Sequence, residues 1–203
     1  MVLPSGVGFG RHICVSIMNY AVIKKFDIAN GPGVRVSLFV SGCRHHCKNC
    51  FNSEAWDFNY GKPFTEETEA EILAACDKDY VTGLSLLGGE PFEPENQPGL
   101  LELAKHFKEK FKNKNIWCYT GFDFEKQLLC GKVGNPKTVR ELLSYIDVLV
   151  DGKFVEELKS PALIFRGSSN QRIIDVKKSL AAGNAVLLDG VWERKMGSES
   201  IYE

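Results

Sequence analysis

Leu84-Ser85-Leu86-Leu87-Gly88-Gly89-Glu90 is a short apolar run stopped by two glycines and a carboxylate. That is the pattern of a buried strand ending in a polar turn. After Pro98, Leu100, Leu101, Leu103, Ala104 and Phe107 recur at helical spacing. The same alternation of strand, polar turn and helix extends in both directions. Asn19 to Asp27 reads as a first strand, and Asn30-Gly31-Pro32-Gly33 as a turn. Val34 to Val40 alternates and is rich in β-branched residues, which predicts a second strand. Thr65 opens a helix whose first turn carries Glu66, Glu67 and Glu69 at the positive end of its dipole. Ile116-Trp117-Cys118-Tyr119 is a strand stopped by Thr120-Gly121, and Ile146 to Val150 is one stopped by Asp151-Gly152-Lys153. Helices are predicted over Phe124 to Leu129 and over Pro136 to Leu143, with a last strand near Arg172 to Val176.

Strands alternating with helices imply an α/β fold with a mainly parallel sheet. Cys43, Gly88 to Glu90, Thr120 and Asp151 each follow a strand, on the edge where such sheets bind ligands. Five or six units in 203 residues predict an incomplete barrel, not a closed eight-unit one. Residues 1–17 have neither period and read as a leader ahead of Met18, so the chain divides into 1–17 and a single domain at 18–203.

Composition narrows the functions. Hydrophobic residues make up 44% and charged residues 25%, as in ordinary globular proteins. Lys+Arg is 25 against Asp+Glu 26, which argues against nucleic acid or a polybasic membrane contact. No apolar run approaches the ~20 residues of a membrane helix. Seven cysteines, an odd number, fit a disulfide framework poorly and point to a reducing, cytoplasmic setting.

Three of those cysteines are clustered. Cys43-Arg44-His45-His46-Cys47-Lys48-Asn49-Cys50 spaces three thiols four and then three residues apart on an irregular loop, so three soft sulfurs can converge on one iron–sulfur cluster or on zinc. A saturated four-iron cluster takes four thiolates. The other cysteines lie in the leader (Cys14), on a helix face (Cys76), inside a strand (Cys118) and at a helix end (Cys130). Three ligands imply one iron with an open position. The alternative is a zinc knuckle completed by His45 or His46, although structural zinc sites usually add a second ligand pair. At Gly88 and Gly89 the missing Cβ lets backbone carbonyls approach a ligand closely, and Glu90 can add charge.

The CxxxCxxC spacing resembles the radical S-adenosylmethionine superfamily. Gly31-Pro32-Gly33-Val34-Arg35 and Cys50-Phe51-Asn52 resemble its glycyl-radical-enzyme activating group. Tyr119-Thr120-Gly121-Phe122, Val150-Asp151-Gly152-Lys153-Phe154 and Arg166-Gly167-Ser168-Ser169-Asn170-Gln171 are similar to the activating proteins of anaerobic (class III) ribonucleoside-triphosphate reductases. Asn49 stands where most of the superfamily has an aromatic residue, a departure this subgroup shares.

The resemblance implies an incomplete TIM-type β/α barrel with the radical S-adenosylmethionine fold. It implies a [4Fe-4S] cluster on Cys43, Cys47 and Cys50, with S-adenosyl-L-methionine chelating the open iron. The adenine would meet the backbone of Asn49, Cys50 and Phe51, and the methionyl amine would meet Gly88, Gly89 and Glu90. No catalytic residue beyond the cluster ligands is expected. The product would be a glycyl radical on the partner reductase, with reduced flavodoxin or a similar protein as electron donor. Thr120, Asp151, Lys153 and Arg166 are further candidates for the cofactor or partner. The rival readings are an activator of pyruvate formate-lyase or another glycyl radical enzyme, and a non-catalytic zinc-binding interaction module.

Overall fold

Seven strands form one open sheet in the computed structural model, which describes residues 18–190 and 192–193. The expected leader at 1–17, with Cys14, lies outside the described residues. The strands are β1 (Asn19–Asp27), β2 (Val34–Val40), β3 (Lys62–Pro63), β4 (Val81–Gly88), β5 (Asn115–Tyr119), β6 (Val148–Asp151) and β7 (Arg172–Asp175). Their order is β3-β1-β2-β4-β5-β6-β7. The middle four run parallel, while β1, β3 and β7 are antiparallel to their neighbours.

Among the described residues there are four α-helices: α1 (Glu66–Cys76), α2 (Gln97–Lys110), α3 (Pro136–Tyr145) and α4 (Val176–Ala182). Their starts follow local chemistry. The Thr65 side chain accepts from the Thr68 amide, and Asn135 accepts from Lys137 and Thr138 with Pro136 in the first turn. Among the described residues no helix is long and apolar enough to cross a membrane.

The mixed α/β class, the mainly parallel sheet and its failure to close agree with the sequence. Several details differ. The parallel strands number four rather than five or six. A parallel neighbour needs a crossover that carries the chain back, and the link from β6 to β7 holds only a 3₁₀ turn at Glu156–Leu158. The chain therefore turns and descends antiparallel. β6 begins at Val148 because Ile146 caps α3 and the Asp147 carboxylate accepts from the Ile116 amide and from Lys108. Phe124–Leu129 is a single π-helical turn. β3 and α4 carried too little pattern to be anticipated.

Alternation within the strands gives the sheet two faces. Val36, Leu38, Leu84, Leu86, Ile116, Cys118, Leu149 and Ile174 face the helices and pack with Ile72, Leu103, Phe107 and Leu142 in the main core. Trp117, Val148, Val150 and Ile173 form a smaller cluster on the opposite face.

Arg35, fully buried, organises that second face. Its Nε donates to Ser85 Oγ (2.7 Å) and Nη2 to the Leu84 carbonyl (2.7 Å). Ser85 Oγ donates in turn to the Asn30 carbonyl (2.6 Å). Burial lowers the guanidinium to a pKa of about 10, so it is still a cation at neutral pH. At Gly31 (φ +123°) a Cβ would come within 2.9 Å of Arg35 and 3.1 Å of Trp117. This is the physical content of the Gly-Pro-Gly-Val-Arg run. The arginine clamps a turn that only glycine can make, and the turn delivers Ala29 and Asn30 to the cavity described next.

Candidate active site

A cavity of about 420 Å3 opens at the C-terminal ends of the parallel strands, within the size range of small-molecule sites. Cys47, Asn49, Cys50 and Phe51 line one side, and Gly88, Gly89 and Glu90 line another. These are sequence-predicted residues from two segments forty positions apart. Cys43 is buried outside the lining.

The cysteine loop is sewn to the strand ends. The Gly42 amide donates to Ala55 O (2.8 Å) and the Cys43 amide to Trp56 O (3.1 Å). From the next strand, the Gly89 amide donates to Val40 O (2.7 Å) and the Glu90 amide to Gly42 O (2.8 Å). Gly88 sits at φ +116°, and a Cβ on Gly89 would lie 2.5 Å from the Gly42 carbonyl. The glycines therefore permit the two loops to touch. Within the loop, His46 (φ +47°) and Asn49 (φ +55°) are left-handed, each immediately before a cysteine. Asparagine tolerates that conformation better than most residues, which gives Asn49 a backbone reason for being there.

Glu90 is the knot of the site and is 1% exposed. Oε1 accepts from the Phe92 amide (2.9 Å) and the Thr120 hydroxyl (2.7 Å). Oε2 accepts from the Gly121 amide (2.7 Å) and lies 2.9 Å from His45 Nε2. A carboxylate offers about four acceptor sites, and all four are taken from within the protein. Glu90 thus joins the cysteine loop to the turn after β5. The His45 ring also packs edge-on against Phe122 at 4.4 Å. Its role had no local sequence signal, because its partner is 45 positions away.

Burial raises the Cys43 thiol to a pKa of about 12, with Glu90 and Cys47 adding to the effect. Burial also raises Cys47, opposed by the nearby Lys153 cation and the Phe154 amide. Arg44 donates through its amide to Glu93 (2.8 Å), and its guanidinium bridges Glu93 and Glu95 while lying 4.2 Å over the Phe58 ring. Trp56 packs on His46 (4.7 Å), and Tyr60 donates to Glu54 at the surface.

Thr120 and Arg166 line the cavity, whereas Asp151 and Lys153 line a smaller one beside it. Tyr119, Phe154, Phe165 and Gln171 complete the main wall. Asp123, Glu125 and Asp151 bring carboxylate oxygens within 4.8 Å of one another. Arg172 occupies that position, paired with all three. Its hydrogen bond draws Glu125 down to about 2 from an ordinary 4.5. A depressed carboxylate contributes stability above its unfolded value and loses it as pH falls through the folded one. Wild type should therefore lose unfolding free energy between about pH 4.5 and pH 2, and Arg172→Gln should flatten that fall while lowering stability at neutral pH. Urea unfolding across the range measures both, and parallel profiles would refute the assignment.

Residues 29–174 match a family model described as a 4Fe-4S single cluster domain. The chain is 43% identical over 156 residues to the anaerobic ribonucleoside-triphosphate reductase-activating protein of Salmonella typhi, covering 76% of this chain and 96% of that one. It is 42% identical to the protein of that name from Escherichia coli K12, with the same coverage. Its counterpart from Enterobacteria phage T4 is 41% identical over 158 residues, 77% of this chain and 93% of the relative. With the cysteine loop and the Gly-Gly-Glu turn joined at one cavity, the chain belongs to the family of anaerobic ribonucleoside-triphosphate reductase-activating proteins.

Proposed function

We propose that this protein is a cytoplasmic, oxygen-sensitive activating enzyme that installs a glycyl radical on an anaerobic ribonucleoside-triphosphate reductase. Cys43, Cys47 and Cys50 would hold a [4Fe-4S] cluster, and the cavity would hold S-adenosyl-L-methionine. One observation carries the reading: the Glu90–His45 contact and the Glu90–Gly42 backbone bond make the two loops one rim around a cavity onto which Cys47 and Cys50 open. We also read the open sheet as the incomplete TIM-type barrel of the radical S-adenosylmethionine fold.

The donor set fits a cluster better than a single ion. Tetrahedral zinc with bonds of 2.3 Å places its sulfurs roughly 3.8 Å apart. A site of that kind also adds a second ligand pair as a rule, whereas the loop supplies three thiols from one short stretch. His45 Nε2 is engaged by Glu90 and the His46 ring by Trp56, which weakens the zinc-knuckle reading. The six described cysteines are all free.

Held by Cys43, Cys47 and Cys50, a [4Fe-4S] cluster would supply the one electron needed for reductive cleavage of S-adenosylmethionine to methionine, the chemistry that hydrogen abstraction from the partner's glycine requires. The protein's own residues bind and orient. Gly88 and Gly89, where a Cβ would collide with the backbone of Val40 and Gly42, bring the strand end up against the cysteine loop, and Asn49, Cys50 and Phe51 line the same cavity. Glu90 fixes the distance between those two segments. Reduced flavodoxin is the proposed donor class.

Anaerobic reconstitution with iron and sulfide, then dithionite and S-adenosylmethionine, should yield methionine and 5′-deoxyadenosine. Adding the anaerobic reductase should give a glycyl doublet by electron paramagnetic resonance. A colourless protein that takes up zinc and no labile sulfide would overturn the proposal, and a doublet on pyruvate formate-lyase alone would overturn the target.

A further inference from the structure

Helix α4 ends at Gly183, left-handed at φ +73°. The chain then returns along β7, where the Asp175 amide donates to Val186 O and the Leu188 amide to Ile173 O, both at 2.9 Å. Trp192 packs on the second face of the sheet. The Trp192 ring stands edge-on to Trp117 at 5.9 Å and lies 6.2 Å from Phe165. Its indole N–H donates to Leu188 O (2.9 Å), and its carbonyl accepts from the Ile164 amide (2.9 Å). Glu193 bridges to Leu163, and its carboxylate takes the Arg166 guanidinium.

These contacts fall on one wall of the cavity, since Leu163, Phe165 and Arg166 all line it. Phe165 is left-handed (φ +55°), a conformation a bulky residue keeps only when its surroundings hold it. Arg166 has its other anchor at the Gln171 carbonyl (2.9 Å). The segment supplying Trp192 and Glu193 lies beyond residues 29–174, the stretch matched by the family model. Phe165 also packs on Trp117 at 5.6 Å, so chain outside the matched stretch contacts this wall alongside residues within it.

We propose that this segment is a strap, with Trp192 and Glu193 as positioning residues that hold the Phe165–Arg166 wall in the shape that binds S-adenosylmethionine. The proposal rests on the reading of the cavity as the S-adenosylmethionine site. Trp192 acts through Phe165 by packing, and Glu193 acts through Arg166 by charge.

The test uses cluster-loaded full-length protein, kept oxidised so that no turnover occurs, titrated anaerobically with S-adenosylmethionine in a calorimeter. Thermal midpoints are recorded alongside. Glu193→Gln should weaken binding about fivefold, the scale of one charge-assisted hydrogen bond. Its midpoint should stay within about 1 °C, because an exposed ion pair adds little stability. Trp192→Ala should weaken binding about tenfold and lower the midpoint, and Trp192→Phe should restore most of both. Wild-type affinity in Glu193→Gln and Trp192→Ala overturns the strap while leaving the cavity's assignment intact. Wild-type protein that binds no S-adenosylmethionine brings down both.

Discussion

Cys47→Ala protein should leave anaerobic reconstitution nearly colourless, with little iron or labile sulfide and no cleavage of S-adenosylmethionine. The same is expected of Cys43→Ala and Cys50→Ala. With two thiolates left, a cube loses the hold that three provide, and no other described cysteine is in reach to substitute. Cys76 is buried on the helix side of the sheet, Cys118 lies within β5 facing the same core, and Cys130 is exposed past the π turn. Misfolding is not the expected cause. A free cysteine packs as a small hydrophobe, so the cluster-free variants should unfold within ~1 kcal/mol of the cluster-free parent. Cys130→Ser is the matched control and should load normally. Full cluster content in all three alanine variants would remove the proposed ligation.

The second large effect is expected at Glu90. Glu90→Ala leaves the Thr120 hydroxyl, the amides of Phe92 and Gly121 and the His45 ring facing an empty, buried space. Breaking such a buried polar knot costs about 3–5 kcal/mol, or roughly 6–20 °C in a domain of this size. Glu90→Gln separates the roles. It keeps the volume but turns an NH2 group toward donors, so it should recover only part of the stability. Binding of S-adenosylmethionine should fall in both variants, because the two edges of the cavity are no longer held at a fixed separation. Near-parental stability in Glu90→Gln would mean that the four contacts matter less than their geometry implies.

How much of this was legible in the sequence depended on the range of the interaction. β2 and β5 were read nearly to their ends and β4 over its buried second half, its start at Val81 being missed, because burial writes itself into alternating or continuous apolar runs. The cysteine loop was read from spacing alone, and Cys47 and Cys50 do share a cavity with Gly88, Gly89 and Glu90. What stayed hidden was pairwise and distant. Nothing local marks His45 as the partner of Glu90, or Arg35 as the clamp on the Gly31 turn. Arg172 reads as the start of a strand, yet its side chain gathers three carboxylates from two other segments. The direction of β7 was equally hidden, since it depends on whether the preceding link contains a helix, and the link's short apolar patches, broken by Pro161 and Gly167, give no period to read.

The borders of the sheet limit how another protein can meet this one. β1 pairs with β3 at only two positions, and its pairing with β2 carries two register irregularities. Lys24 and Lys25 stand along the same strand, so kinks and cations guard that margin. The opposite margin, β7, is already occupied by backbone from Val186 to Leu188. Among the described residues neither side offers a clean template for an incoming extended segment, which disfavours recruitment by β-augmentation. On the proposed function, a macromolecular client would present its reactive backbone over the cavity that Phe51 and Arg166 line, and a peptide that competes for docking should mimic a loop rather than a strand.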